Sequence, residues 1–306
     1  MTAPYGAGGQ PVIEDLGAPA ARPGRRIRIG RGWLGLVPFL LVALLFMIGP
    51  TFYLVIGSLK DAAGNWTLNN FVQLFGPQIS QTYLNSIEIS LATALVGGGF
   101  GFLLAYSVIL GGLPRILRSG LMTFSGVASN FAGVPLALAF IFTLGTVGMV
   151  TVFLKNFGID LRASGFSIYS KLGLGIVYLY FQFPLMVLII APAIDGLKRD
   201  WREAAENMGA SSRQYWRLVA LPILTPPILG TMILLFGNAF GAQATAYALT
   251  GGFIDIVPIA ISRQMRGDVL YDPNLGYALA MGMVIIMGFS ILAYSILQRR
   301  AERWLK

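Results

Sequence analysis

The sequence predicts an all-α membrane protein with six core transmembrane helices, and three observations predict it. Only 11% of its 306 residues are charged, against 56% hydrophobic, and the mean hydropathy of +0.71 is too high for a soluble domain. Six apolar runs recur along the chain, each long enough to cross a hydrocarbon core at about 20 residues per helix. Repeated runs of that length imply helices rather than a barrel, because a helix satisfies its own backbone groups in lipid. Basic residues also crowd beside the spans, as they do where a bilayer orients a chain.

Residues 1–32, rich in Gly, Pro and Ala, read as a disordered tail that ends in the basic cluster Arg22, Arg25, Arg26, Arg28 and Arg31. The apolar run that follows is too long for a cleaved secretory signal. Residues 33–306 make the membrane domain. Its first span, Gly32 to Leu59, holds no charge and is bent by Pro38 and by Gly49-Pro50. A loop from Lys60 to about Gln81 carries Trp66 and Phe71 as interface anchors. The second span, Tyr83 to Leu110, contains Gly97 and Gly101, a G-x-x-x-G face for close helix packing.

A short turn with Pro114, Arg115 and Arg118 leads into a third span, Ser119 to Thr146. Gly148 to Ser170 reads as a loop with a short amphipathic helix at Met149 to Phe157. The fourth span, Lys171 to Asp195, is kinked near Phe183-Pro184. The fifth runs from Pro222 to Tyr247 and the sixth from Pro273 to Leu297. Between them Gly251-Gly252 opens a loop with an apolar helical patch at Val257 to Met265. No internal repeat is visible.

Charge sets the orientation. With both termini inside, sixteen basic residues fall in inside segments: the tail, Arg115 and Arg118, the loop around Glu203, and the C-terminus. Six fall outside: Lys60, Lys155, Arg162, Lys171, Arg263 and Arg266. That asymmetry supports the arrangement, and it reads the net charge of +9 as attraction to an anionic bilayer rather than to nucleic acid. The chain has no cysteine and no histidine, which excludes disulfides and thiolate metal sites and removes the usual proton-transfer side chain. An intramembrane enzyme would have to use clustered carboxylates, yet apart from Glu88 the acids are scattered among loops.

The polar stretch between the fourth and fifth spans reads as a helix-turn-helix. Asp200 and Glu203 suit a capping box that starts a helix near Trp201. Gly209 stands where a left-handed C-cap is wanted, and Ser211 with Gln214 restarts a second helix. Ala204 and Ala205 offer a surface open to close approach. Trp201, Tyr215 and Trp216 also suit an interfacial anchor. Two alanines bury little area at about 25 cal/mol per Å², however, and a small-residue knob suits a groove in a partner better.

This stretch resembles the signature loop of permease subunits of ATP-binding cassette importers, E-A-A-x3-G-x9-I-x-L-P. Glu203, Ala204, Ala205, Gly209, Leu221 and Pro222 fall in register, with Val219 in place of the isoleucine. The resemblance runs from about Trp33 to the C-terminus. It implies a type I importer permease of the plasma (inner) membrane, with both termini and a coupling loop, about residues 197–222, in the cytoplasm. Glu203, Ala204 and Ala205 would make the coupling contact and Gly209 the hinge.

The implied partners are a pair of ATP-binding cassette subunits, a second permease subunit that is a different chain, and an extracytoplasmic solute-binding protein. This chain has no G-x-x-x-x-G-K-[ST] loop, so ATP would be hydrolysed in the partner, and no cofactor, metal or nucleic acid is expected here. Asn238-Ala239-Phe240-Gly241 followed by Thr250-Gly251-Gly252 is similar to the polyamine (spermidine/putrescine) branch, while iron, thiosulfate and phosphonate permeases look broadly alike. An ion-coupled secondary transporter would show repeats or paired intramembrane charges.

Four polar residues are candidates for the pathway: Glu88, Asn130, Asn238 and Thr245. Glu88 either faces the path and attracts a cation or sits shallow and touches water. Asn238, Gly241 and Thr245 fall on one helical face, and such residues either line a path or join helices by hydrogen bonds. Asn130 has the same two readings, whereas Gln243 projects elsewhere and reads as a joint. Tyr178, Tyr180, Phe181 and Phe183 read as packing or interface aromatics.

Overall fold

The computed structural model describes residues 35–266 and 271–302; the tail of residues 1–32, expected to be disordered, lies outside them. Among the described residues the structure is helical without strands, apart from one isolated bridge between Lys60 and Trp66. Six helices are long and apolar enough to cross a membrane. The chain divides into two compact units, Met1–Pro50 and Thr51–Lys306. The first contains α1 (Val37–Ala43) and a π-turn at Leu44–Ile48. The polar residues of this run are too few to interrupt a span, and Val37–Ser58 is the first of the six candidates.

From Thr51 on, the second unit takes in the rest of α2 (Gly49–Ser58), then α3 (Asn69–Leu74), α4 (Pro77–Leu110), α5 (Arg115–Asn130), α6 (Gly133–Leu144), α7 (Met149–Asn156) and α8 (Lys171–Asp195). It continues with α9 (Arg199–Asn207), α10 (Ser212–Tyr215), α11 (Leu221–Phe240), α12 (Gln243–Thr250), α13 (Val257–Arg266) and α14 (Pro273–Glu302). The axis of this unit is α8, which packs on α4, α5 and α11. Leu174, Val177, Met186, Ile190 and Ile194 are fully buried along it. Lipid tails are as apolar as these side chains, so close van der Waals fit rather than exclusion from water holds them.

The G-x-x-x-G face supplies that fit. A Cβ on Gly97 would stand 2.6 Å from Gln182 Cβ, and one on Gly101 would stand 2.6 Å from Met186 Cβ and 2.9 Å from the Phe183 carbonyl. Only glycine lets the α4 backbone lie this close to α8. The aromatics of α8 serve packing: Tyr178 and Phe181 are buried, and the Tyr180 ring meets Phe131 and Phe140 edge-on.

Two expected spans are broken. The third was expected to run unbroken from Ser119 to Thr146, but the chain leaves the helix at Phe131 and Ala132 and restarts at Gly133, which has φ of +73°. The break puts Pro135 in the first turn of α6, where a missing N–H leaves no helical bond unmade. The candidate span here is Gly133–Asn156 instead. The fifth expected span breaks at Gly241-Ala242, where Ala242 leaves the helical region with ψ of 72°. Tyr178 donates to the Ala242 carbonyl at 2.6 Å, which satisfies a group the break would orphan. Asn238 and Thr245 therefore sit on different helices, α11 and α12, and do not share a face.

Candidate functional site

The polar loop lies at one end of the bundle. Arg118, early in α5, grips Asp195 at the end of α8 with two hydrogen bonds of 2.6 and 2.7 Å. Near the end of α4, Tyr106 meets Trp216 edge-on with ring centroids 5.0 Å apart. The loop between α8 and α11 is fastened by these contacts to the end where α4 finishes and α5 begins.

Its first helix, α9, starts at Arg199 without a side-chain cap on its N-terminus. The expected Asp200–Glu203 capping box does not form, because Glu203 turns to Arg199 at 2.8 Å, one turn away. Glu206 pairs with Arg202 at 2.9 Å in the same i, i+4 spacing, and that hydrogen bond raises the Arg202 pKa. Asp200 remains in the first turn, where a carboxylate suits the helix dipole.

The turn is set by hydrogen bonds. Gly209 N–H donates to the Glu206 carbonyl at 2.9 Å and Ala210 N–H to the Ala205 carbonyl at 3.0 Å, the pairing of a Schellman cap. Gly209 has φ of +80°, a conformation that L side chains rarely adopt. The capping box of Ser211 and Gln214 then starts α10. From there the helix runs through a π-turn at Trp216–Ala220 into α11, so Leu221 and Pro222 continue one candidate span, Ser212–Phe240.

The two alanines part company. Ala205 is buried at 5% exposure against Tyr215 and Ala220, so the open surface expected of both belongs to Ala204 alone. Beside Ala204 the exposed large apolar side chains are Trp201 and Met208, three residues before it and four after, with Asp200 and Asn207 exposed on the same side. Met208, at 81% exposure, was not singled out from the sequence; its i+4 spacing from Ala204 was the available signal.

The pathway candidates do not come together. Thr245 is buried and its hydroxyl accepts the Gly133 N–H at 2.8 Å, so it joins the two breaks. Asn130 donates to the Gly126 carbonyl of its own helix at 2.9 Å. Asn238 is exposed on α11. Gln243 donates to the Ser262 hydroxyl, the joint expected of it.

Glu88, at the bundle end opposite the polar loop, pairs with Lys171 at 3.5 Å, and Lys171 also donates to Asn85 at 2.7 Å. Asn85 in turn holds the Asp255 carbonyl at 3.0 Å. The fully buried Gln182, whose Nε2 donates to the Leu235 carbonyl at 3.0 Å, was also missed. A lone amide amid the apolar residues of α8 was its signal.

A sequence model of the family described as "Binding-protein-dependent transport system inner membrane component" matches residues 34–306. Among curated proteins, the chain is 23% identical over 270 residues to a probable sulfate transport system permease protein of Nephroselmis olivacea, covering 86% of this chain and 90% of that one. It is 26% identical over 278 residues to the spermidine/putrescine transport system permease protein PotB of Haemophilus influenzae, covering 87% and 93%. Among solved structures, a bacterial ABC transporter for import of the acidic polysaccharide alginate matches with a TM-score of 0.68 at 18% identity, covering 88% of this chain and 94% of the other.

Proposed function

Because this chain belongs to the family of binding-protein-dependent transport system inner membrane components, we propose that α9 is the handle by which a separate ATPase moves its helices. The chain is the inner-membrane permease subunit of an ABC importer, and ATP hydrolysis lies in a different subunit. The observation that carries the coupling reading is the stripe of Trp201, Ala204 and Met208, exposed on α9 directly beside Ala205, which is packed down against Tyr215 and Ala220. A short helix with a small residue flanked by two large apolar ones suits a groove in a partner. The packed edge at Ala205 would transmit a push through Tyr215 and the π-turn into α11.

In this reading the loop of about residues 197–222 and both termini face the cytoplasm, and Glu203, Ala204, Ala205, Gly209, Leu221 and Pro222 form the coupling element. The remaining partners are a second permease of a different sequence and an extracytoplasmic binding protein, the latter in keeping with the family description. Purification of the tagged chain from its native membrane tests the handle. An ATPase subunit should be recovered with it, and Ala204→Trp, which blocks close approach, should cut that recovery about tenfold while membrane insertion is unchanged. Equal recovery with Ala204→Trp would sink the proposal.

For the solute, similarity to the spermidine/putrescine permease and the Asn238–Gly241 and Thr250–Gly252 runs support a polyamine. Sulfate is the second reading, supported by similarity to sulfate permeases. Glu88 adds less to a polyamine reading than its charge alone would, since Lys171 sits beside it. Uptake of labelled spermidine and labelled sulfate by cells with and without the chain separates the two, and the solute whose uptake does not depend on the chain is removed.

A further inference from the structure

The two helix breaks meet on an exposed face. Thr245, beyond the second break, holds the Gly133 N–H at the first, and Ala244 Cβ lies 3.9 Å from where a Cβ on Gly133 would stand. Phe131, Ala132, Gly241 and Ala244 are exposed there. The depth of this face follows from α8. Its charged ends, Lys171 and Asp195, are about 36 Å apart at 1.5 Å per residue, more than a hydrocarbon core of about 30 Å. Phe131 meets Tyr180 and Ala242 is held by Tyr178. These tyrosines stand about 10–14 Å from the Lys171 end and about 22–26 Å from the Asp195 end, so both breaks lie inside the hydrocarbon layer.

Backbone groups at that depth need partners. The carbonyls of Ser129, Asn130, Phe131 and Ala132 receive no hydrogen bond among the described residues. Non-helical backbone is tolerated within the membrane only where protein buries it or water reaches it, which excludes lipid as its neighbour. A second membrane protein would have to aim side-chain donors at four successive carbonyls, because the backbone donors of its own helices are used. Water satisfies them without any such match.

The helix that leads to the break also suits water. α5 is not among the six candidate spans. Ser119, Thr123 and Asn130, spaced i, i+4 and i+11, form an exposed polar stripe along it, with the exposed Phe124 and Val127 to one side. Arg118 ties the start of α5 to Asp195, and Phe131 ends it beside Tyr180. The stripe therefore leads from the end that carries the polar loop to the breaks.

We propose that this stripe and the double break wall a water-filled vestibule, open at the polar-loop end and lying on the solute's route. Its place on the route rests on the importer reading above, whereas its water does not, so either can fail alone.

The test uses single Thr123→Cys and Ala132→Cys variants in native membranes and a permanently charged methanethiosulfonate. A thiol reacts as the thiolate, which water favours and an apolar environment does not. Both should react about tenfold or more faster than Leu95→Cys, which is exposed among apolar neighbours on α4. They should also react from the same side of the membrane as Ala204→Cys, and modified Ala132→Cys should lose most chain-dependent uptake. Rates as slow as that of Leu95→Cys would overturn the vestibule, including the case in which they rise only in the purified chain freed of a second permease. Reaction from the opposite side would overturn its opening, and uptake untouched by modification would take it off the route.

Discussion

Gly209 is the residue on which the loop's shape depends most directly. At φ of +80° it has open space around the position a Cβ would take, so the penalty of substitution there is conformational, not steric contact with neighbours. A β-branched residue costs about 1–2 kcal/mol or more in this region, which would loosen the angle between α9 and α10. Gly209→Val is expected to leave membrane insertion intact while uptake falls and ATP hydrolysis by the assembled transporter continues. Asparagine, which visits this region readily, should restore most uptake. Normal uptake in Gly209→Val would remove the hinge role.

A second residue-scale test concerns Thr245. Thr245→Val takes the acceptor from the Gly133 N–H, and a part-buried donor left unmade costs roughly 1–3 kcal/mol. The solubilised variant should unfold at lower temperature, and Thr245→Ser should recover the loss.

Among the elements, the close pairing of α4 with α8 makes the firmest prediction. Gly101→Leu would drive a side chain into Met186 and the Phe183 carbonyl, and overpacking of this kind costs typically about 1–3 kcal/mol. The expected result is loss of folded protein from detergent extracts. Gly99→Leu, on the same helix with nothing within 4 Å of its Cβ position, should behave as wild type. The close-packing face of α4 was legible in the sequence because the Gly97–Gly101 spacing encodes it locally, though not that α8 is its partner; the helical class, the number of spans and the short helices α7 and α13 were legible too.

The breaks at Phe131-Ala132 and Gly241-Ala242 were not legible as breaks, because hydropathy continues across both. What permits them is distant in sequence: Tyr178 for the Ala242 carbonyl and Thr245 for the Gly133 N–H. The site divides in the same way. The turn at Gly209 and the cap at Ser211 follow from local residue types. The burial of Ala205 depends on Tyr215 and Ala220 folding back over it, and the Glu203 ion pair on a competition between partners that spacing alone left open.

At the scale of the whole molecule, the charge asymmetry and the position of α9 make one connected claim: the end of the bundle where Arg118 meets Asp195 faces the compartment that holds ATP. On the proposed orientation, the opposite end, where Glu88 pairs with Lys171, faces away from the ATPase. The most direct measurement uses the absence of cysteine from the chain. A single Ala204→Cys variant is treated with a membrane-impermeant maleimide in intact cells and in inverted membrane vesicles. The account predicts labelling in inverted vesicles alone, and protection there once the ATPase subunit is bound. Labelling from outside intact cells, or labelling in vesicles that the ATPase leaves unchanged, would contradict it.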